Sequence, residues 1–375
     1  IAYRYEGDNT VLDWSMDAHD SLLIQLRPEG ACLGDLAAAA QQADAFGVLG
    51  NKAREPMCSG TLETPETIDR EGIPVAEWAD VALEEDNVLL LDMACWKLDD
   101  GAWQPREEIL RLDNACRALV GWPSRFSAFA QPWVTAEEKH VDPKHTLTLK
   151  IPFESDIAVS GSALALENRA RTEIYFDGVK LDNRADGWYV DKCIERVNLP
   201  DFGAGAHEIT LVIDYTRDAD VEACYLVGRF GVEALGDRGR IVAAPDKLYF
   251  TDITRQRLAF YGGNVRYSFA APGGGVLEIP HWRGAALTVE VDGRDLGVVA
   301  YAPYRIRIPE GARQVTVTCM GNRFNTFGQL HYWEVDKLWY GPDSWRTKGK
   351  NWSYEYLLRP TGLLSAPVFY PDETK

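Results

Sequence analysis

Several familiar signatures are missing from this chain. No G-x-S-x-G, H-E-x-x-H or Walker sequence occurs in its 375 residues, which removes the sequence marks of a nucleophile elbow, a zinc-protease helix and a phosphate-binding loop. Gly273-Gly274-Gly275 lies between two strand-like runs and opens no helix, so it reads as a turn and not as a phosphate cradle. Strands and helices do not alternate as a (β/α)8 barrel requires. No window approaches the roughly 20 apolar residues that span a bilayer. The seven cysteines (Cys32, Cys58, Cys95, Cys116, Cys193, Cys224, Cys319) contain no C-x-x-C pair, which fits neither a zinc site nor a disulfide framework. Unpaired thiols make a reducing compartment the preferred reading. Basic charge is short too: 39 Lys and Arg stand against 57 Asp and Glu, for a net charge of −18. That balance argues against nucleic acid or an anionic membrane as partner, since both need a basic face.

What the chain does contain is a repeated β-unit. Thr172 to Leu181 and Leu287 to Leu296 each alternate apolar and polar residues and turn on an Asp-Gly pair, Asp177-Gly178 and Asp292-Gly293. Asp-Gly between alternating runs is a strong hairpin signal, because both turn residues must tolerate positive φ. The two pairs stand 115 residues apart, about one β-sandwich in length. Each copy then passes a Gly-Ala (Gly205-Ala206, Gly311-Ala312) into another strand. Hydrophobic residues at 46% and charged residues at 26% are ordinary globular values. The expected class is all-β, with two tandem jelly-roll sandwiches and a short N-terminal β/helical segment.

Along the chain, Ile1 to Tyr5 reads as a strand in progress and not as a secretory leader, so the expectation is that more chain precedes it. Val11 to Met16 and Ser21 to Leu26 read as a strand pair, Cys32 to Phe46 as a helix and Asn51 to Pro74 as a loop. Glu107 to Val120 is ambiguous and could be strand then helix. The expected divisions are residues 1–62, the end of a preceding β-domain with helix and linker; 63–238, the first sandwich; and 239–375, the second, with an aromatic-rich tail.

Acid–base hydrolysis needs two carboxylates at a pocket mouth. With so many acids no pair is distinguished, and Glu84-Glu85-Asp86, Glu107-Glu108 and Glu137-Glu138 read as solvated faces. No catalytic constellation is assigned, and whether the chain is itself an enzyme stays open. Sugar recognition makes another demand: rings that stack on a pyranose, interleaved with groups that take its hydroxyls. Three segments meet it, and they supply the candidate carbohydrate-binding residues. Asp186 to Lys192 supplies Trp188, Tyr189 and Asp191; Phe260 to Tyr267 supplies Tyr261 and Asn264. Asn322 to Trp333 supplies Asn322, Asn325, His331 and Trp333. Trp345, in the turn-rich Trp339 to Arg346, completes the set. The alternative for each is packing inside a sandwich or against a neighbouring domain. His331 has no partners at ligand spacing, so no metal site is assigned.

The second module resembles a known family in Phe260 to Tyr267, Leu287 to Gly293 and Tyr301-Ala302-Pro303-Tyr304-Arg305-Ile306-Arg307-Ile308. It looks like the galactose-binding-like jelly roll of family 2 glycoside hydrolases and of large bacterial α-L-rhamnosidase-like enzymes. The tail, Asn325 to His331 with Trp339 to Trp345, is similar to the ending of such proteins. The resemblance implies the carboxy-terminal, carbohydrate-recognising or scaffolding portion of a large bacterial glycoside hydrolase. Its partners would be a carbohydrate and a catalytic domain on the same or a companion polypeptide. No catalytic barrel accompanies the match, so the family's nucleophile and acid cannot be placed on any residue. Two alternatives remain: a purely structural pair that shapes an active-site rim or oligomer interface, and a complete hydrolase with its site on the β-scaffold. No cofactor is called for, and only a structural calcium ion stays open. The unpaired cysteines then favour the bacterial cytoplasm.

Overall fold

The computed structural model describes residues 3–6, 9–12, 68, 71–124, 144–219, 221–333 and 347–372. The described residues are all-β, with few and short helices among them. It divides into two compact units, Ile1–Glu71 with Ala300–Tyr304, and Gly72–Val299 with Arg305–Lys375. In the smaller unit, strand Tyr3–Glu6 pairs antiparallel with Asn9–Leu12. The strand expected at Ser21 to Leu26, the helix expected at Cys32 to Phe46, the acidic pair Glu137-Glu138, and Trp339 to Arg346 with Trp345 all lie outside the described residues.

The larger unit holds two sandwiches. In the first, a five-stranded sheet runs in the order Trp188–Tyr189, Asp191–Asn198, Ala163–Leu166, Cys224–Gly228, Asn87–Leu91. Its eight-stranded partner centres on two long strands, His145–Ser155 and Gly205–Tyr215, which pair antiparallel over 11 positions. Leu147, Leu149, Ile151 and Phe153 alternate along one strand and Ile209, Leu211 and Ile213 along the other, all buried. A period of two puts these residues on one sheet face, which is why both segments read as strands from sequence. Asn87–Leu91, Ala163–Leu166 and Cys224–Gly228 are instead buried at every position. Continuous apolar runs suit strands covered on both faces, and the same core extends to Ile109 and Leu112, Phe260 and Leu330. The ambiguous segment Glu107 to Val120 holds the last two residues of strand Gln104–Glu108 and then helix Ile109–Leu119.

In the second sandwich a six-stranded sheet runs Lys247–Tyr249, Trp78–Leu83, Val265–Ala270, Gln314–Cys319, Leu287–Val291, Arg294–Val299. A four-stranded sheet runs Arg305–Ile308, Gly275–Glu278, Val368–Pro371, Ile73–Pro74. Strand Trp78–Leu83, which precedes the first sandwich in the chain, thus completes a sheet of the second. Phe250 meets the rings of Tyr267 and Phe269 at 6.1 and 6.0 Å, within a core that includes Val289, Val317 and Phe369.

Both Asp-Gly hairpins form. Asp177 and Gly178 have φ of 48° and 79°, and Asp292 and Gly293 have 47° and 79°, the left-handed pair of a type I′ turn. Each first strand pairs on one side with its return strand and on the other with the strand that follows the Gly-Ala. The turn aspartates are themselves clamps. Asp177 Oδ1 accepts from Glu208 N at 2.9 Å, and Asp292 Oδ1 accepts from Gln314 N at 3.0 Å. Asp99, at φ 51°, repeats the device by accepting from Thr146 N at 2.8 Å. The strand expected from Trp188 to Val197 breaks at Val190, whose φ of 62° carries a non-glycine residue through left-handed space.

Candidate functional site

A cavity of about 420 Å³ opens at one end of the first sandwich. Its walls come from the end of strand Asn87–Leu91 with Asp92, the start of helix Ile109–Leu119, Tyr225 of strand Cys224–Gly228, and the segments Thr326–His331 and Thr347–Trp352. Three rings line it (Tyr225, Phe327, Trp352), and its polar groups include Asp92, Glu108, Asn114, Gln329 and His331. Trp352 Nε1 is buried and has no acceptor among the described residues.

The polar groups at its base form one cluster. Asp92 and His331 are each only 5% exposed. His331 Nε2 stands 3.0 Å from Asp92 Oδ2, and its Nδ1 stands 2.9 Å from the Ser353 carbonyl oxygen. Tyr356 donates its hydroxyl to Asp92 Oδ1 at 2.6 Å. The imidazole ring lies 5.3 Å from Trp352 and 5.0 Å from Tyr356. Burial works against a charged imidazole here, but the Asp92 hydrogen bond, the charges of Asp92 and Glu108, and the Ser353 carbonyl outweigh it and raise the His331 pKa.

Glu108 caps helix Ile109–Leu119, its Oε2 accepting from Arg111 N at 3.0 Å. Burial first, and then the Asp92 charge, push its pKa to about 7, against the pull of the Leu110 and Arg111 amides and of His331. The solvated face expected for Glu107-Glu108 is therefore wrong for Glu108, which is 5% exposed. Strand ends there and helix begins, and capping that junction turns the carboxyl inward. Glu107 keeps to the rim, where it pairs with Arg111 at 2.9 Å. Deeper in, Asp113 pairs with Arg117 at 2.9 Å and accepts from Tyr215 at 2.7 Å.

A larger groove of about 800 Å³ shares Asp92 with this cavity and is lined in part by Arg106, Glu233, Arg240 and Tyr356. Two of its guanidinium groups are engaged by carboxylates, Arg106 with Asp237 and Arg240 with Glu233. The buried cluster thus sits between two hollows, and the smaller one carries the ring-and-amide lining.

The residues singled out from sequence fall in several places. His331 lines the cavity. Tyr189 is buried 5.9 Å from the Phe327 ring. Asn325 is buried and holds the Arg359 backbone through both its amide atoms. Tyr261 is buried and donates to the Asn264 carbonyl, while Asn264 bonds Glu84 and the Gly321 amide. Asn322 accepts from Phe324 N, and Asp191 from Cys193 N. Trp188 and Trp333 are 54% and 59% exposed and do not line the cavity. The segment from Asn322 to Trp333 does reach the cavity, through Thr326, Phe327, Gly328, Gln329, Leu330 and His331. Asp92 and Trp352 were not among the candidates, and Glu108 stood only in an acidic pair read as a solvated face. One signal was present for Asp92, a lone carboxylate within the apolar run from Val88 to Ala94.

No family model matches the chain, and no curated protein matches it. Among solved structures, a GH2 beta-galacturonidase from Eisenbergiella tayi overlaps it at 10% identity and a TM-score of 0.22, over 66% of this chain and 39% of that one. A rhamnosidase from a Novosphingobium species overlaps at 15% identity and a TM-score of 0.24, over 61% of this chain and 23% of that one. An anti-sigma factor domain-containing protein from Clostridium clariflavum overlaps at 7% identity and a TM-score of 0.18, over 63% of this chain and 90% of that one. The chain spans under two fifths of the galacturonidase and about a quarter of the rhamnosidase. Overlaps this slight carry no conclusion about activity.

Proposed function

We propose that this protein recognises carbohydrate, and that the cavity around His331 takes a sugar ring. The observation that carries the reading is the cavity's lining. Tyr225, Phe327 and Trp352 supply ring surface, while Asp92, Glu108, Asn114 and Gln329 supply groups able to accept from hydroxyls. A volume of about 420 Å³ lies within the range of small-ligand sites. The buried Trp352 Nε1 adds a donor that a ring or hydroxyl oxygen would satisfy. In this reading the chain is the recognising portion of a larger glycoside hydrolase, and a catalytic domain is its partner.

Isothermal titration of the chain against rhamnose-, galactose- and glucuronate-containing glycans tests the proposal. Heat with at least one of them, weakened about tenfold or more in Trp352→Ala, is the expected result; each tenfold is about 1.4 kcal/mol. No heat with any of them would leave the scaffolding role.

One observation favours a second reading, catalysis on the sandwich itself. Glu108, with a pKa of about 7 beside Asp92, has the protonation behaviour of a general acid. Turnover of chromogenic glycosides that is lost in Glu108→Gln would establish it.

A further inference from the structure

The segment Thr347–Tyr356 passes over the cavity, lining it through Thr347 and Trp352. Backbone bonds tie it to the rest of the fold, Trp333 N to the Asn351 carbonyl and Tyr356 N to the Gly236 carbonyl, each at 2.9 Å, and its other attachments lie on two sides. On the outer side Arg111 holds it: Nη1 donates to the Thr347 carbonyl at 2.5 Å, and the guanidinium lies 4.9 Å from the Trp352 ring and 5.4 Å from the Tyr354 ring. Tyr354 donates to Glu107 at 3.1 Å. On the inner side the hold passes through His331, whose carbonyl accepts from Ser353 N at 2.8 Å and whose Nδ1 faces the Ser353 carbonyl. Tyr356 closes the far end on Asp92.

The chemistry at His331 is unusual. Both of its ring nitrogens face acceptors, a carboxylate oxygen and a backbone carbonyl. A neutral imidazole has one N–H, so it can donate to only one of them. The arrangement is fully satisfied by the imidazolium, which donates to both. Removing that proton turns one buried contact from attraction to lone-pair repulsion, at either Asp92 or Ser353. An unmade hydrogen bond at a buried acceptor is costly.

We infer that Thr347–Tyr356 is a proton-controlled strap, closed over the cavity while His331 carries both ring protons and loosened when one is lost. This rests on the cavity being the binding site and adds its regulation. The charged groups around His331 all bear on the switch. Asp92 and Glu108 face it from the strand end and the helix start, and both favour the proton; Tyr356 faces it from the strap, its hydroxyl bonded to Asp92. Glu107, Arg111 and Tyr354 form the outer clasp. Since Glu108 itself keeps a proton up to about pH 7, its ionisation adds negative charge beside the imidazole and holds the imidazolium proton more tightly. The strap therefore lets go at the upper end of the range where His331 titrates.

Hydrogen exchange of the full chain, read by mass spectrometry on peptides covering residues 347–357 and corrected for intrinsic rates, tests the idea with no ligand present. Protection should fall about tenfold for each pH unit between the ordinary histidine value, which the loosened strap restores, and the raised value of the closed state, and should level off above it, since an opening that releases one proton carries that slope. His331→Gln, whose side-chain amide can still donate to one acceptor, should show weaker protection that no longer depends on pH. Should that variant not fold, nitrogen NMR of histidine-labelled wild type decides the matter: His331 should titrate above ordinary histidine values with both nitrogens protonated below that point. Flat protection across pH 5.5 to 9, about the range where histidine changes charge, would overturn the inference, as would a neutral His331 throughout. Because neither readout uses a sugar, failure of the strap and failure of carbohydrate binding are separate outcomes.

Discussion

The hairpin at Asp177-Gly178 and the one at Asp292-Gly293 share turn angles, flanking pairings and an aspartate clamp, yet the two sandwiches that contain them differ. In the second, the facing strands meet in an apolar core built on Val289, Val317, Phe250, Tyr267 and Phe369. In the first, the core ends against Asp92, Glu108 and His331 and opens onto a cavity. What repeats reports the fold, and what does not repeat locates the candidate chemistry. Even the clamps diverge. Asp177 also holds His207 at 2.7 Å, whose ring is set among Phe153, Phe176 and Phe202. Asp292 instead takes the Arg313 amide, with the Arg313 side chain exposed at 4.0 Å.

The sharpest break in that comparison is Asp92→Ala. It leaves His331 and the Tyr356 hydroxyl without their acceptor inside the first sandwich, a loss of about 3–5 kcal/mol for one partner of a buried pair. Chemical denaturation should show this loss, and hydrogen exchange of the strand Val265–Ala270 in the second sandwich should change far less.

Next in size is the pH response, on the order of 1–3 kcal/mol. Folding raises Glu108 from 4.5 to about 7, so its contribution is complete below pH 4.5 and is lost as pH climbs through about 7. His331, raised from 6.5, acts in the same sense and gives up its share above that value. Urea midpoints should therefore fall between pH 5 and 8, about the span of these titrations, and Glu108→Gln should flatten that slope. Asp99 works the other way. The Thr146 amide first, and then His145, lower its pKa, so its support is present above pH 3.8 and is lost only as pH falls through the lower folded value.

Smaller still is the contrast between the clamps. Asp177→Ala should cost about 1–2 kcal/mol and Asp292→Ala about 1 kcal/mol, because only the first also unseats a ring-packed histidine. Last, Gly178→Ala and Gly293→Ala should cost the same, about 1 kcal/mol each, since both sit at φ of 79° with open space where the methyl would go. Unequal losses there would show that the turns are not equivalent.

Much of this architecture was legible in the sequence because strand grammar is local. Alternation at Leu147 to Phe153, and Asp-Gly between apolar runs, act within a few residues, and each produced its element. The candidate site was less legible because it is assembled from afar. Asp92 meets His331 across 239 positions of chain and Tyr356 across 264. Aromatic–polar interleaving led to the segment that lines the cavity, but it could not tell the inward Phe327 and His331 from the exposed Trp333. Nor could a pair of adjacent acids reveal that Glu107 keeps to the rim while Glu108 turns in to cap a helix.

Co-crystallisation with whichever glycan gives heat in the titration panel bears most directly on the central claim. The sugar ring should lie in the cavity against Trp352 or Phe327, with its hydroxyls within hydrogen-bonding reach of the Asp92, Glu108 and His331 cluster or of Gln329. A ring stacked instead on exposed Trp188 or Trp333, with the cavity unchanged, would contradict the account.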